Sequence, residues 1–214
     1  MRPTIRALAT VVLLAGAAVA DESKGGARGE DYELRVGERT ISVALDQEFT
    51  IETPKGEKLK ATLRAKPTRT YRTDGVAFQY PRDFTLRRER DGDMISLTIE
   101  ATDSRIIMVH IHAAKMPAGP LVDATLESIA AEVATGTGAK QSPEPVACKR
   151  TFKGRAASGK KLEYAVLGQR ITTEAYAFGE AGRTVLIMLQ TDHEDAAAAE
   201  KPFALLADSF EITR

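Results

Sequence analysis

Two histidines, His110 and His112, have the spacing that most directly suggests chemistry. They lie two positions apart in the segment RIIMVHIH, which has the apolar pattern of a β-strand, so both side chains point to one face of that strand. Such a pair can supply two ligands to Zn²⁺, but a zinc site needs more protein ligands than two. The remaining histidine is His193. Two interpretations therefore stay open: a metal site, or two half-exposed, hydrogen-bonded histidines at a strand end.

Nucleophilic and phosphate-binding motifs are missing from the sequence. None of the eight serines lies in a G-x-S-x-G motif, and no Walker-type phosphate loop occurs. The single cysteine, Cys148, excludes an internal disulfide. We interpret it as a buried thiol, with an intermolecular disulfide or a reactive thiol as the alternatives. No catalytic residue and no cofactor is predicted.

Positive charge is concentrated between residues 55 and 90, which contain eleven basic and four acidic residues in a chain that is neutral as a whole. Such a zone could bind a protein partner or another anionic ligand; the alternative is the polar face of amphipathic strands. The aromatic residues of the zone occupy core-facing positions, so nucleic-acid binding is not predicted. The candidate partner-binding residues are Arg69, Arg72, Arg87 and Arg88.

Residues 1–20 have the three parts of a secretory signal peptide. Arg2 and Arg6 give a positive start, an apolar run continues to Val19, and Ala18-Val19-Ala20 is a small-x-small cleavage site. The apolar run is too short to span a bilayer. We therefore expect an exported protein, periplasmic or extracellular, with no transmembrane span in the mature chain; a retained N-terminal anchor is the alternative.

Three further segments follow the predicted signal peptide. Residues 21–31 are charged and contain glycine, which predicts a flexible leader. Residues 32–72 alternate with period two between Gly and Pro turns, which predicts a β-meander. Residues 73–214 read as strands, a helix, strands and a second helix. Short turns between the strands favour antiparallel pairing, so the predicted class is α+β: an antiparallel β-sheet flanked by two helices.

Patterns within the main body predict its central strands and its helices. Segments 105–112 and 184–189 are apolar on both faces, as is typical of strands covered on both sides. Apolar residues recur at helical spacing from Val122 to Val133, after Pro120 in the first turn. Segment 191–194 has capping-box spacing and predicts the start of the second helix.

These elements, in this order, resemble a known superfamily. The strand VAFQYPRDF (76–84), the mid-chain helix, the hairpin series from Phe152 to Leu189 and the closing helix into DSFEI (208–212) are similar to the PsbP-like α/β/α sandwich proteins. That superfamily includes photosystem PsbP proteins and bacterial envelope proteins of the DcrB type. The resemblance covers about residues 73–214. It implies a non-enzymatic binding, assembly or envelope-maintenance module, and it carries no catalytic residues to this chain.

The sequence therefore favours an exported, non-catalytic binding or assembly module of the bacterial cell envelope. The alternative is a metal-binding protein or metal-dependent enzyme that uses His110 and His112. A third hypothesis is a self-associating structural accessory in which Cys148 links two chains. The sequence leaves the partner and the oligomeric state open.

Overall fold

The structure is a computed structural model that describes residues 31–36, 39–44, 46–52, 56–137, 142–180 and 182–213. The predicted signal peptide and all but the last residue of the predicted leader lie outside these residues. The described chain divides into two compact units, one ending at Pro67 and the other beginning at Thr68.

The first unit contains two β-hairpins. Strand β1 (Asp31–Val36) pairs antiparallel with β2 (Arg39–Ala44), and β3 (Glu48–Glu52) pairs antiparallel with β4 (Lys58–Thr62). In β3, half-buried residues alternate with exposed ones, which is the period-two pattern of a strand with one covered face. Whether residues 32–72 form a domain of their own stays a prediction.

The second unit contains ten strands and two helices among its described residues. The strands are β5 (Thr68–Thr73), β6 (Val76–Pro81), β7 (Thr85–Asp91), β8 (Met94–Glu100), β9 (Ile106–His112), β10 (Val146–Phe152), β11 (Arg155–Val166), β12 (Gln169–Glu180), β13 (Arg183–Asp192) and β14 (Glu211–Ile212). The helices are α1 (Ala118–Thr137) and α2 (Ala196–Ser209). Neither of these helices has the combination of length and apolar composition that crossing a bilayer requires.

The strands form a large and a small sheet. Seven strands pair antiparallel in the order β10-β11-β12-β13-β9-β8-β7, and three pair in the order β14-β6-β5. Residues 68–72 were predicted to be part of the meander, but β5 is hydrogen-bonded to β6 along its whole length. This pairing ties β5 to the second unit.

Strands β9 and β13 lie side by side at the centre of the large sheet. Val109 and Ile187 are fully buried in a core formed with α2 and β6, whereas Leu186 and Met188 are buried in a second core formed with α1. The two faces of β13 therefore contribute to two cores, as its doubly apolar sequence predicted. The α+β prediction, an antiparallel sheet flanked by two helices, is confirmed.

The predicted start of the second helix is wrong. Thr191 and Asp192 continue β13, where they pair with Thr172 and Ile171 of β12, and a residue held in a strand cannot open a helix. Helix α2 begins at Ala196 instead. The Asp192 carboxylate accepts a hydrogen bond from the backbone N–H of Asp195 at 2.8 Å, so this side chain binds the turn that precedes the helix.

A glycine in β11 allows the large sheet to pack an aromatic ring. Gly159 lies opposite Tyr176, whose side chain is fully buried and packs edge-on against Phe152 with 5.2 Å between ring centroids. A Cβ atom at position 159 would lie 2.3 Å from the carbonyl oxygen of Ala175 and 2.5 Å from the Tyr176 ring. A side chain at this position therefore has to displace backbone or a core residue.

We expect Gly159→Ala to lower the free energy of unfolding by about 1–3 kcal/mol, the usual cost of overpacking. The matched control is Gly136→Ala in α1, where a Cβ atom meets open space and alanine is the better helix former. Urea unfolding of both variants checks this. A Gly159→Ala protein as stable as the wild type would contradict the described packing.

Candidate functional site

Helix α1 covers only part of its side of the large sheet. It packs against β11, β12 and β13, and the same face continues over β9, β8 and β7. There the side chains are half-buried or exposed, in contrast to the buried residues of the opposite face. We call this region the open face; its residues on β8 and β9 are Met94, Ser96, Thr98, Glu100, Ile106, Met108, His110 and His112.

Both candidate metal ligands lie on the open face. His110 is opposite Ser96 of β8 and Leu186 of β13. His112, at the end of β9, is opposite Met94 of β8 and Thr184 of β13. Each histidine is thus flanked by one half-buried residue on β8 and one buried residue on β13.

Both imidazole rings are neutral at pH 7. Burial lowers the pKa of His110 to about 4, with a smaller contribution from the neighbouring His112 ring. Burial also lowers the pKa of His112. Within the described structure, the buried Nε2 atom of His112 has no hydrogen-bond partner. A buried nitrogen without a partner is costly, so this atom marks a position where a ligand would be stabilising.

The described residues do not supply the third ligand that a zinc site requires. No three His, Cys, Asp or Glu residues come together there as ligands of one metal ion. His112 is opposite Thr184, near the start of β13, whereas His193 follows Asp192 at the other end of that strand. The backbone N–H of His193 donates to the carbonyl oxygen of Arg170 at 2.7 Å, which holds it in the turn after β13.

The four candidate partner-binding arginines do not share one surface. Arg87 and Arg88 are consecutive on β7 and point to opposite faces. On the open face, Nη2 of Arg87 lies 2.6 Å from a carboxylate oxygen of Glu100. Arg88 donates from Nε and Nη2 to the two carboxylate oxygens of Asp74, both at 2.9 Å. Both side chains are therefore engaged within the protein.

Asp74 is a residue that the sequence analysis did not single out. With Gly75 it forms the β5–β6 turn, where both residues have positive φ angles, 54° and 75°, as a type I′ turn requires. Its carboxylate also accepts a hydrogen bond from Tyr71, and Arg183 donates to its carbonyl oxygen at 2.9 Å. The Arg88 guanidinium, with help from Tyr71, holds the pKa of Asp74 far below its usual range. Asp74 thus anchors the small sheet to β7 and β13.

Arg69 and Arg72 lie on β5 and are exposed. Arg69 is opposite Tyr80 and Arg72 is opposite Ala77, so the two guanidinium groups leave opposite faces of the strand. Among the described strands, β5 is an edge of the small sheet. Arg69 and Arg72 are therefore exposed residues of an edge strand.

Cys148 is a half-buried residue of β10 that belongs to a polar network. Its thiol donates to the Tyr176 hydroxyl at 3.3 Å, and that hydroxyl donates to Glu174 at 2.8 Å. Arg150 bridges Glu174 and Glu200, at 3.2 Å and 2.9 Å. Burial raises the pKa of the Cys148 thiol, which favours the protonated, unreactive form. A disulfide between two chains stays a prediction.

No protein-family model matches this chain, and no curated protein matches it. Solved structures with a similar fold include a protein from Bacteroides thetaiotaomicron, with a TM-score of 0.45 and 10% identity over 70% of this chain. The chain spans 50% of the length of that protein.

Two further solved structures with a similar fold are those of a PsbP protein and of LpqN. Cyanobacterial PsbP from Synechocystis sp. PCC 6803 matches with a TM-score of 0.44 and 16% identity, over 68% of this chain and 92% of PsbP. LpqN, which is involved in cell envelope biogenesis of Mycobacterium tuberculosis, matches with a TM-score of 0.38 and 11% identity, over 78% of this chain and 91% of LpqN. Each of these matches has a TM-score below 0.5. They concern the fold alone, and the α+β class rests on the strands and helices of the chain itself.

The burial of His110 should make stability depend on pH. Because the pKa of His110 is lowered to about 4 in the folded state, the unfolded chain binds a proton first, so stability falls as the pH falls from about 6.5 to 4. Between pH 7 and pH 4.5 we expect the free energy of unfolding to fall by about 2 kcal/mol less in His110→Gln than in wild type. Urea unfolding at pH 7 and pH 4.5 measures it, with exposed His193→Gln as the control. Equal pH dependence in His110→Gln and wild type would contradict a buried neutral ring.

Loss of the Asp74 anchor should show the pH dependence of a carboxylate. The folded state holds the pKa of Asp74 far below the unfolded value, so its contribution is present above about pH 4 and is lost as the pH falls further. We expect Asp74→Asn to unfold at a lower temperature than wild type at pH 7, and the difference to narrow below pH 4. Asp91→Asn, an exposed change on β7, is the control. A constant difference at all pH values would contradict the ion pair.

Proposed function

We propose that this chain is an exported, non-catalytic binding or assembly module of the bacterial cell envelope, and that it binds an acidic protein partner along β5. The observation that carries the proposal is the exposure of Arg69 and Arg72 on an edge strand. The signal-like residues 1–20 support export, and the PsbP-like resemblance of the sequence implies a binding or assembly role.

Strand β5 differs from the two edges of the large sheet in its charge. Its sequence TRTYRT contains two arginines and no acidic residue. By contrast, β7 mixes both signs in TLRRERD. Strand β10 has one exposed base, Lys149, because its Arg150 is bound by Glu174 and Glu200. Mixed charge and lysine on an edge discourage pairing with another strand. Positive charge alone favours an acidic segment.

The geometry of an edge strand gives such a segment two kinds of contact. One edge of β5 pairs with β6, and its other edge has no neighbour among the described strands. The backbone N–H and C=O groups on that outer edge can pair with an extended segment of a partner, as in β-augmentation. Arg69 and Arg72 leave opposite faces of the strand, so they can bind carboxylates on both sides of an added strand, and arginine binds carboxylates with two parallel hydrogen bonds.

Cross-linking capture of the mature protein from its native envelope tests the proposal. We expect one dominant partner, and the purified partner should bind the double variant Arg69→Glu, Arg72→Glu at least about tenfold more weakly than wild type, with weaker binding of wild type at high salt. The matched control is Lys149→Glu, Lys201→Glu, which reverses two exposed charges away from β5. Thermal unfolding verifies that both variants fold.

Two results would contradict the proposal. Equal affinity of wild type and the Arg69, Arg72 variant would exclude β5 as the binding surface. The absence of any stable partner in the envelope would exclude an assembly module.

A further inference from the structure

The open face contains a buried nitrogen with nothing bound to it. The Nε2 atom of His112 is buried and has no hydrogen-bond partner within the described residues. His110 lies two residues earlier on the same face of β9. At the repeat of a β-strand the Cα atoms of the two histidines are about 6–7 Å apart. The two rings are close enough that His112 lowers the pKa of His110.

Strand pairing places a methionine beside His112. Met94 lies directly opposite His112 on β8. On the other side, Thr184 of β13 lies opposite His112, and its hydroxyl accepts from the N–H of Met116 at 2.7 Å and donates to the Met116 carbonyl oxygen at 3.1 Å. Met94 thus lies next to His112 on β8, and the backbone of Met116, in the segment after β9, is hydrogen-bonded to the residue that lies opposite His112 on β13.

We propose that His110, His112 and Met94 form a binding site for Cu(I) on the open face. Imidazole and thioether are ligands that suit the soft Cu(I) ion. Zinc sites use Cys, His and carboxylate ligands, and no third residue of these types joins the pair within the described structure. The thioether of Met94 can therefore serve as the third ligand of a Cu(I) site, whereas zinc would need a third Cys, His or carboxylate beside His110 and His112.

The register of β8 and β9 allows the three side chains to meet. Directly opposite residues have Cβ atoms about 4.5–5.5 Å apart, and diagonal neighbours lie about 7–8 Å apart, within reach of long side chains. Met94 is opposite His112 and diagonal to His110, because the residue opposite His110 is Ser96. The small Ser96 leaves space beside the His110 ring, and methionine has three rotatable bonds with which to enter it.

The site goes beyond the proposed partner function and uses none of its residues: Arg69 and Arg72 lie on β5, whereas the copper ligands lie on β8 and β9. Either proposal can fail without the other.

Competition with the Cu(I) chelator bicinchoninate tests the site. Mature apoprotein, kept anaerobic and reduced, should withdraw one Cu(I) per chain. Loss of residues that merely support ligands already costs about 10–100-fold in affinity, so Met94→Leu and His112→Asn should each weaken Cu(I) binding at least about tenfold. His193→Asn, which changes a histidine outside β8 and β9, is the matched control and should bind as wild type. Thermal unfolding of the apoproteins verifies the fold.

X-ray absorption at the copper edge gives a readout independent of affinity. The proposal predicts nitrogen and sulfur scattering in wild type and the loss of the sulfur shell in Met94→Leu. Failure of the wild type to take Cu(I) from the chelator would overturn the proposal. Wild-type affinity in folded Met94→Leu or His112→Asn would also overturn it.

Discussion

The pairing of β9 with β13 is the constraint on which the rest of the structure depends. Both strands are rich in apolar residues, and β13 is buried on both of its faces, so the sheet is stable only if other elements cover it on both sides there. Helix α1 covers one face and contributes Leu126 and Ile129 to its core. Helix α2 and the small sheet cover the other, with Phe203 and Phe78. The hydrophobic effect at these two central strands therefore determines where the helices and the small sheet must lie.

The two faces are covered to different extents, and this asymmetry creates the candidate sites. The small sheet has to be held against the large one, and the Asp74 turn with Arg88 and Arg183 does so. Its outer strand β5 then faces solvent with its arginines. On the other face α1 ends its coverage at β13, so β9 is buried on one side and half-open on the other. His110 and His112 thus lie on a strand whose backbone is fixed by two neighbours, which is a rigid support for a site.

Much of this architecture could be predicted from the sequence because it follows from apolar periodicity. The central strands, both helices and the antiparallel class were readable from Val, Ile and Leu spacing. Strand β7 was not, because TLRRERD is almost entirely exposed and has no apolar alternation. Its charges resembled those of a solvated turn. The start of α2 was misplaced because a capping-box spacing at 191–194 is a local signal, whereas Thr191 is held in β13 by β12.

The sites were less readable because they depend on register and on long-range pairs. The spacing of His110 and His112 predicted a shared face, but only the register of β8 on β9 places Met94 opposite His112. A shift of one residue would turn Met94 to the other face. Similarly, nothing in the sequence distinguished Arg88, bound to Asp74, from the exposed Arg72. The Asp74-Gly75 dipeptide was the one local signal, as a hairpin turn.

Hydrogen exchange of the protein, alone and bound to the proposed acidic partner, tests the central claim most directly. The account predicts that amides of β9 and β13 exchange most slowly in both states, because each of these strands pairs with a neighbour on both of its edges at the centre of the sheet. It also predicts that the amides of residues 68–73 that do not bond to β6 exchange rapidly alone and gain protection in the complex. Unchanged exchange at 68–73, with protection gained at another surface, would contradict it.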